Sequence, residues 1–286
     1  MAVCCFALCC LLAAVDFKTV HDVSYLEGDE AANATTSRLA SCQLDVRWPV
    51  GKKGFPTLVW FHGGGLTGGN KGFYTRAEAE TRIAEVTCQY RLLGKDGVTN
   101  GVDCVDDAAA AVAWTLRHIA EYGGDSKKVF VAGSSAGGYL TMMIGMDPKW
   151  LAKYGCRPQD IAGIAPNSGQ VTTHYNVRKF RGDPRPSAYP VLDEMAPLYH
   201  AQNWREMPRR ILSITGEPPW EWKGRAEENE LLIATLKALG HPHAQYVRLP
   251  YADHGRTLDW GREYIVRFVL GEFPPDLLLK KENKSE

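Results

Sequence analysis

Residues Val129–Leu140 read VFVAGSSAGGYL, and no other stretch constrains the chain so tightly. A β-branched and aromatic run meets Gly133-Ser134-Ser135-Ala136-Gly137, and a helix-forming segment follows. This is G-x-S-x-G set between a strand and a helix, the context that gives the pattern meaning. Such a turn holds Ser135 in a strained backbone conformation, and side chains at Gly133 or Gly137 would clash with the neighbouring strand and helix. The hydroxyl is thereby lifted above the sheet edge, at the positive end of a helix. Glycine and serine are common in loops, so the pattern needs support from the rest of the chain.

Composition bounds the setting. The 286 residues are 45% hydrophobic and 23% charged, ordinary for a globular chain. Thirty-three basic and thirty-three acidic residues give a formal net charge of zero. No basic stripe suggests nucleic acid and no acidic tail suggests a solvating segment. Ala2–Val15 is an uncharged apolar run of 14 residues, too short to span a membrane and suited to a signal peptide, with Ala13 and Ala14 as small cleavage residues. The Lys or Arg expected before it is missing, Leu8 ahead of Cys9 spoils a lipobox, and an apolar first strand is the alternative. The expectation is a signal peptide over residues 1–15, one domain over 16–286, and a secreted or periplasmic location. Four of the eight cysteines lie in that leader. Cys42, Cys88, Cys104 and Cys156 lack C-x-x-C spacing and a paired His, which argues against a metal site. A Cys88–Cys104 disulfide and buried free thiols are both open readings.

Strand and helix patterns alternate along the rest. Lys18–Tyr25 and Gln43–Val50 alternate polar and apolar residues as edge strands do, with a polar, turn-like Asp29–Ser37 between them. That turn contains Asn33-Ala34-Thr35, a glycosylation sequon that matters only in a eukaryotic secretory host. Phe55–Phe61 is a continuous apolar run that suits a strand covered on both faces. Ala84–Tyr90 is a strand made less apolar by Glu85 and Gln89, and Asp106–Tyr122 is the clearest helix. Lys128–Gly133, Ile161–Ala165, Arg210–Gly216 and Gln245–Leu249 read as further strands. Gly138–Gly145, Ala226–Gly240 and Trp260–Leu270 read as helices, and Pro166–Pro208 as irregular. The expected fold is α/β, a mostly parallel twisted sheet with helices on both faces.

In open α/β sheets the chemistry sits at the carboxyl ends of the strands. Four such ends here carry His62-Gly63-Gly64-Gly65, Ser135, Glu217 with Glu221, and Asp253-His254-Gly255. Ser135 needs a base to take its proton, and His254 is the candidate. An acid must orient the imidazole. Glu221 is favoured because it lies a few residues into its loop, and Glu217 is the alternative, which could equally be a structural carboxylate on turn amides. Backbone N–H groups of Gly64, Gly65 and Ala136 are the candidate oxyanion donors. The order of oxyanion loop, serine, acid and histidine is that of the α/β-hydrolases. His174, the tryptophans Trp204, Trp220 and Trp222, and His241-Pro242-His243 could line a site, but packing or surface roles suit them better. Arg91 is read as pairing with Asp107 below the site.

The motifs His62–Gly65, Tyr90-Arg91-Leu92, Asp107 with its following alanines and Trp114, and Gly133–Gly137 resemble the hormone-sensitive-lipase-like esterases of the α/β-hydrolase superfamily. Gly169–Val177, Asp193–His200 and Arg225–Asn229 are similar to a branch of predicted bacterial exported esterases also called BD-FAE-like. The resemblance covers most of Lys18–Leu270. It implies an α/β-hydrolase fold and a serine acyl-enzyme route that transfers an acyl group to water, with no cofactor. The implied substrate is a small-molecule or polysaccharide-linked ester, acetyl or feruloyl among the choices. The chain departs from the lipase-like pattern in two ways: about forty residues stand where a long N-terminal cap is usual, and the acid is Glu where Asp is commoner. A minimal cap and an open cleft are therefore expected. A serine peptidase of the same fold and a non-catalytic binding protein are the competing readings; the HGGG loop opposes the first, the intact Ser135 and His254 the second.

Overall fold

The computed structural model describes residues 16–76 and 82–272, and the expected leader with its cysteines lies outside the described residues. Eight strands form one sheet: β1 Phe17–Ser24, β2 Gln43–Pro49, β3 Phe55–Phe61, β4 Ala84–Cys88, β5 Gly124–Ser134, β6 Gly163–Asn167, β7 Ile211–Thr215 and β8 Ala244–Arg248. Their order is β1-β2-β4-β3-β5-β6-β7-β8. The β1–β2 and β2–β4 pairs are antiparallel, and every later pair is parallel.

The run FPTLVWF shows why such a sheet is apolar on both faces. Val59 and Phe61 enter one core, with the Gly101–His118 and Ala136–Met146 helices, while Leu58 and Trp60 enter the other, with Ile265 and Phe268 of the Arg262–Leu270 helix. Alternate side chains of a strand point to opposite faces, so a strand sandwiched between helices must be hydrophobic at every position.

Several expected boundaries move, each for a visible reason. The long helix begins at Gly101, ahead of Asp106, because the Asn100 side chain caps it and the Asp103 carboxylate in turn accepts the Asn100 N–H. Asp106 and Asp107 therefore sit inside the helix, and Asp107 is free to turn inward. The polar Asp29–Ser37 stretch holds two short helices, Gly28–Ala32 and Thr36–Ser41, the second capped by the Thr35 hydroxyl. The Asn33 side chain donates to the Asp29 carbonyl on that exposed surface. The irregular Pro166–Pro208 segment contains the Tyr175–Phe180 helix and a 3-10 stretch, Pro197–Glu206. The helix expected over Trp260–Leu270 begins at Arg262, and a separate short helix, Arg256–Trp260, precedes it across Gly261.

Glu85, anomalous in an apolar strand, is buried and fully engaged. Its carboxylate accepts hydrogen bonds from the N–H groups of Tyr74 and Thr75, the Thr75 hydroxyl at 2.6 Å and Arg47 at 3.2 Å. Burial pushes its pKa up despite those partners. The four described cysteines are free; the Cys104 thiol lies 3.2 Å from the Arg91 carbonyl, so the disulfide alternative with Cys88 is set aside. Among the described residues no helix is long and apolar enough to cross a membrane.

Candidate active site

Ser135 ends the turn after β5 with φ 55° and ψ −113°, a conformation that L residues avoid. The turn survives because its flanks are bare. A Cβ on Gly137 would lie 2.0 Å from the Phe61 carbonyl oxygen, and one on Gly133 would lie 2.5 Å from the Gly137 backbone. Two hydrogen bonds fix the bend, from the Ser135 N–H to the Asn167 carbonyl at 2.8 Å and from the Tyr139 N–H to the Ser135 carbonyl at 2.9 Å.

The Ser135 hydroxyl lies 2.9 Å from His254 Nε2, and His254 Nδ1 lies 2.7 Å from Glu221 Oε1. The serine and the imidazole are half-buried, whereas the Glu221 carboxylate is sealed from solvent. Burial alone would raise the Glu221 pKa. The hydrogen bond and charge of His254, with donors from Ser168 and the Trp222 N–H, outweigh it and bring the group down to about 2. Gly216 N–H adds a further bond at 3.0 Å. The carboxylate thus stays ionised and accepts from Nδ1–H, leaving Nε2 as an acceptor toward Ser135.

Glu217, the other carboxylate in this loop, is not in contact with the imidazole. Its Oε2 accepts the Tyr251 N–H at 3.0 Å, and Tyr251 has φ 58° in the tight turn that delivers His254. The structural alternative weighed for Glu217 describes its position. The β7–helix loop curls back after Glu217, so only the residue four places on comes beneath the histidine.

The loop after β3 lies beside the serine. A Cβ on Gly63 would meet Ser135 Cβ at 3.4 Å. Gly64 has φ 107°, and a Cβ there would fall 2.2 Å from the Gly68 carbonyl oxygen, so that position tolerates no side chain. The Tyr90 hydroxyl donates to the His62 carbonyl at 3.0 Å with the two rings stacked, and Asn176 Nδ2 donates to the Gly65 carbonyl at 2.7 Å. Ala136 opens the next helix, so its N–H has no acceptor within that helix. The glycine loop, through Gly63, and the first turn of the helix that opens at Ala136 thus both border Ser135.

Two supporting residues, Ser168 and Thr257, were not singled out from sequence, whereas Trp222, read there as packing, lies against the histidine. Ser168, at φ 48°, gives its hydroxyl to Glu221 Oε2 at 2.7 Å, and Thr257 gives its hydroxyl to the His254 carbonyl at 2.8 Å. Trp222 stacks on the His254 ring at 4.6 Å and Tyr175 meets Trp222 edge-on at 5.8 Å. A small apolar strand followed by Ser-Gly gave no signal for Ser168; its role exists only because β6 ends beside Glu221. His174 is fully buried, caps the Tyr175–Phe180 helix through the Asn176 N–H, and is held neutral with a pKa of about 3 by burial first and by Arg225 and Arg178 second. His241, expected on the surface, is buried with Nε2 against the Pro208 carbonyl at 2.9 Å. Trp220 packs at the exposed rim against Tyr251, and Trp204 against Gly240 and Arg205. Arg91 does pair with Asp107, at 2.7 Å.

Comparison with known proteins gives a consistent picture. Residues 44–154 match the family model described as BD-FAE. Cocaine esterase from Oryctolagus cuniculus is 40% identical over 91 residues, 29% of this chain and 17% of that protein. Carboxylesterase NlhH from Mycobacterium tuberculosis is 33% identical over 111 residues, 37% of this chain and 34% of that protein. The chain thus matches only 17% to 34% of the length of these relatives. Among solved structures, a truncated carbohydrate esterase from gut microbiota superposes with a TM-score of 0.66 at 15% identity, covering 91% of this chain and 97% of that one. Esterase B from Lactobacillus rhamnosis gives 0.67 at 16% identity over 90% and 85%. The chain has the α/β-hydrolase fold, is similar to BD-FAE over residues 44–154, and is similar in sequence to carboxylesterases over 29% to 37% of its length.

Proposed function

We propose that this chain is a serine carboxylic-ester hydrolase. The observation that carries the reading is the unbroken line of hydrogen bonds from Ser135 through His254 to Glu221, in the shelter of a glycine loop. Ser135 Oγ attacks the ester carbonyl while its proton passes to His254 Nε2. Glu221 holds the imidazolium, and Gly64, Gly65 and Ala136 N–H groups receive the oxyanion of the tetrahedral intermediate. The intermediate collapses to an acyl-serine as His254 protonates the departing alkoxide. Water then repeats the sequence: His254 takes its proton, hydroxide attacks the acyl carbonyl, and Ser135 leaves with the proton returned.

Among the described residues, those before β3 pair along the sheet edge as β1 and β2 and build no large cap over the serine. Short acyl groups, and acetyl or feruloyl esters of plant polysaccharides, suit so accessible a site. Export is part of the same reading, resting on Ala2–Val15; cleavage after Ala13 or Ala14, read by N-terminal sequencing of the mature protein, checks it. The activity is tested with p-nitrophenyl esters from acetate to decanoate beside methyl ferulate and acetylated xylan. Turnover highest on acetate or butyrate supports the reading. Inertness toward every ester overturns it.

A further inference from the structure

Beside the candidate triad lies a cavity of about 480 Å³ whose walls include Tyr175, Glu221, Trp222, Lys223, Arg225 and Glu228. It shares Trp222 with the reacting centre: one side of the wall is the ring stacked on His254. Arg225 is the anomaly in that wall. Its side chain belongs to a residue only 5% exposed, yet of its five N–H donors one is used, from Nη1 to the Ser168 carbonyl at 2.9 Å. No carboxylate among the described residues comes within 4.0 Å of it, and Trp222 lies beneath the guanidinium at 5.7 Å.

The acids of the cavity are already committed. Glu221 is saturated by His254, Ser168, Gly216 and Trp222. Glu228 accepts the Val171 N–H at 3.2 Å and the Thr172 hydroxyl at 3.1 Å. Lys223 adds a second, exposed cation to the lining. Glu228 and Glu221 act on this guanidinium only from beyond contact distance, so its fork is left without an ion-pair partner, and a carboxylate meets such a fork in two parallel hydrogen bonds. A ligand that brings its own carboxylate completes what the fold leaves open.

The side of the reaction follows from the shared wall. His254 hands its proton to the leaving alkoxide, so the group nearest His254 and Trp222 is the alcohol of the ester. We propose that this cavity is a leaving-group subsite for a carboxylate-bearing alcohol, with Arg225 as the recognising residue and Lys223 at the rim. The inference deepens the ester-hydrolase reading and rests on it for the side of the substrate, though not for the anion site itself.

The test compares the acetates of 3- and 4-hydroxybenzoate with those of the matching hydroxybenzamides, which have the same shape without the charge. One carboxylate ester should exceed its amide partner in kcat/KM by about 10- to 100-fold, the usual worth of hydrogen bonds to a charged group. Arg225→Met should slow both esters, since the Ser168 carbonyl loses its donor, and bring their ratio close to one; Arg225→Lys should keep part of the preference. Binding is measured separately on Ser135→Ala by tryptophan fluorescence, with benzoate tighter than benzamide and the difference lost in the Ser135→Ala, Arg225→Met double variant. Equal treatment of acid and amide in both assays, or a preference that survives Arg225→Met, overturns the subsite. Phenyl acetate turnover without acid preference leaves the hydrolase reading standing and removes the subsite. Arg225-dependent benzoate binding with no ester turnover keeps the subsite and removes the hydrolase reading.

Discussion

Asp107 and Glu221 are both carboxylates sealed from water, and each is saturated with hydrogen bonds, but their partners differ in kind. Asp107 receives Arg91 through its backbone N–H at 3.1 Å, Nε at 2.7 Å and Nη2 at 2.8 Å, and Arg38 through Nε at 3.3 Å. Both guanidiniums are held charged, their pKa values pushed up by Asp107 and its neighbours against the pull of burial. No proton in that cluster can move. Glu221 faces an imidazole, which can gain and lose one. The lesson is that burial and saturation make either carboxylate rigid, while the titratable partner alone makes one of them useful for proton transfer.

The comparison is broken first at Glu221. Glu221→Gln preserves shape but offers Nδ1 a donor, favouring the wrong tautomer, and kcat should fall about 10³- to 10⁴-fold with little loss of fold. Circular dichroism and p-nitrophenyl acetate kinetics check both halves. Asp107→Ala should act the opposite way: it strands two arginines, so unfolding in urea should show a loss of about 3–5 kcal/mol, while each folded molecule retains its turnover. A variant at Asp107 that unfolds no more easily but loses kcat would erase the distinction between the two sites.

Smaller effects sharpen it. Gly64→Ala forces the oxyanion loop to move, and kcat should drop about 10²- to 10³-fold with KM changed far less. Glu217→Gln should lower kcat by about threefold at most, because it only weakens the Tyr251 turn and one exposed hydrogen bond is worth about 1 kcal/mol or less. The least effect is on acid stability. The Glu221 carboxyl sits at about 2 in the folded chain and near the ordinary range when unfolded, so its contribution is complete above about pH 4.3 and is lost as pH falls toward 2. The melting temperature of the native chain should therefore exceed that of Glu221→Gln at neutral pH, with the gap narrowing as pH falls from about 5 to 2.

Much of this was legible in the chain. Alternation marked the edge strands and continuous apolar runs the buried ones, and the phrase GSSAG could hardly be read otherwise once HGGG and Asp-His followed strands in the right order. What the sequence left ambiguous is what depends on distant loops meeting. Glu217 and Glu221 both follow β7, and only the fold of the Tyr251 turn, which uses Glu217 as its clasp, decides which reaches His254. Ser168 and Thr257 support the site through positions no local pattern marks. The helix start at Asn100 was readable in principle, since Asn followed three residues later by Asp is a cap signature, but the richer Asp106-Asp107 pair drew the boundary inward.

The central claim is that Ser135 carries the acyl group. The direct measurement is hydrolysis of p-nitrophenyl acetate by the native chain and by Ser135→Ala under the same conditions. A loss of about 10⁴-fold or more in kcat, with the fold unchanged, is the expected result. Turnover by Ser135→Ala within about tenfold of the native rate, a difference of only about 1.4 kcal/mol in barrier, would contradict the account.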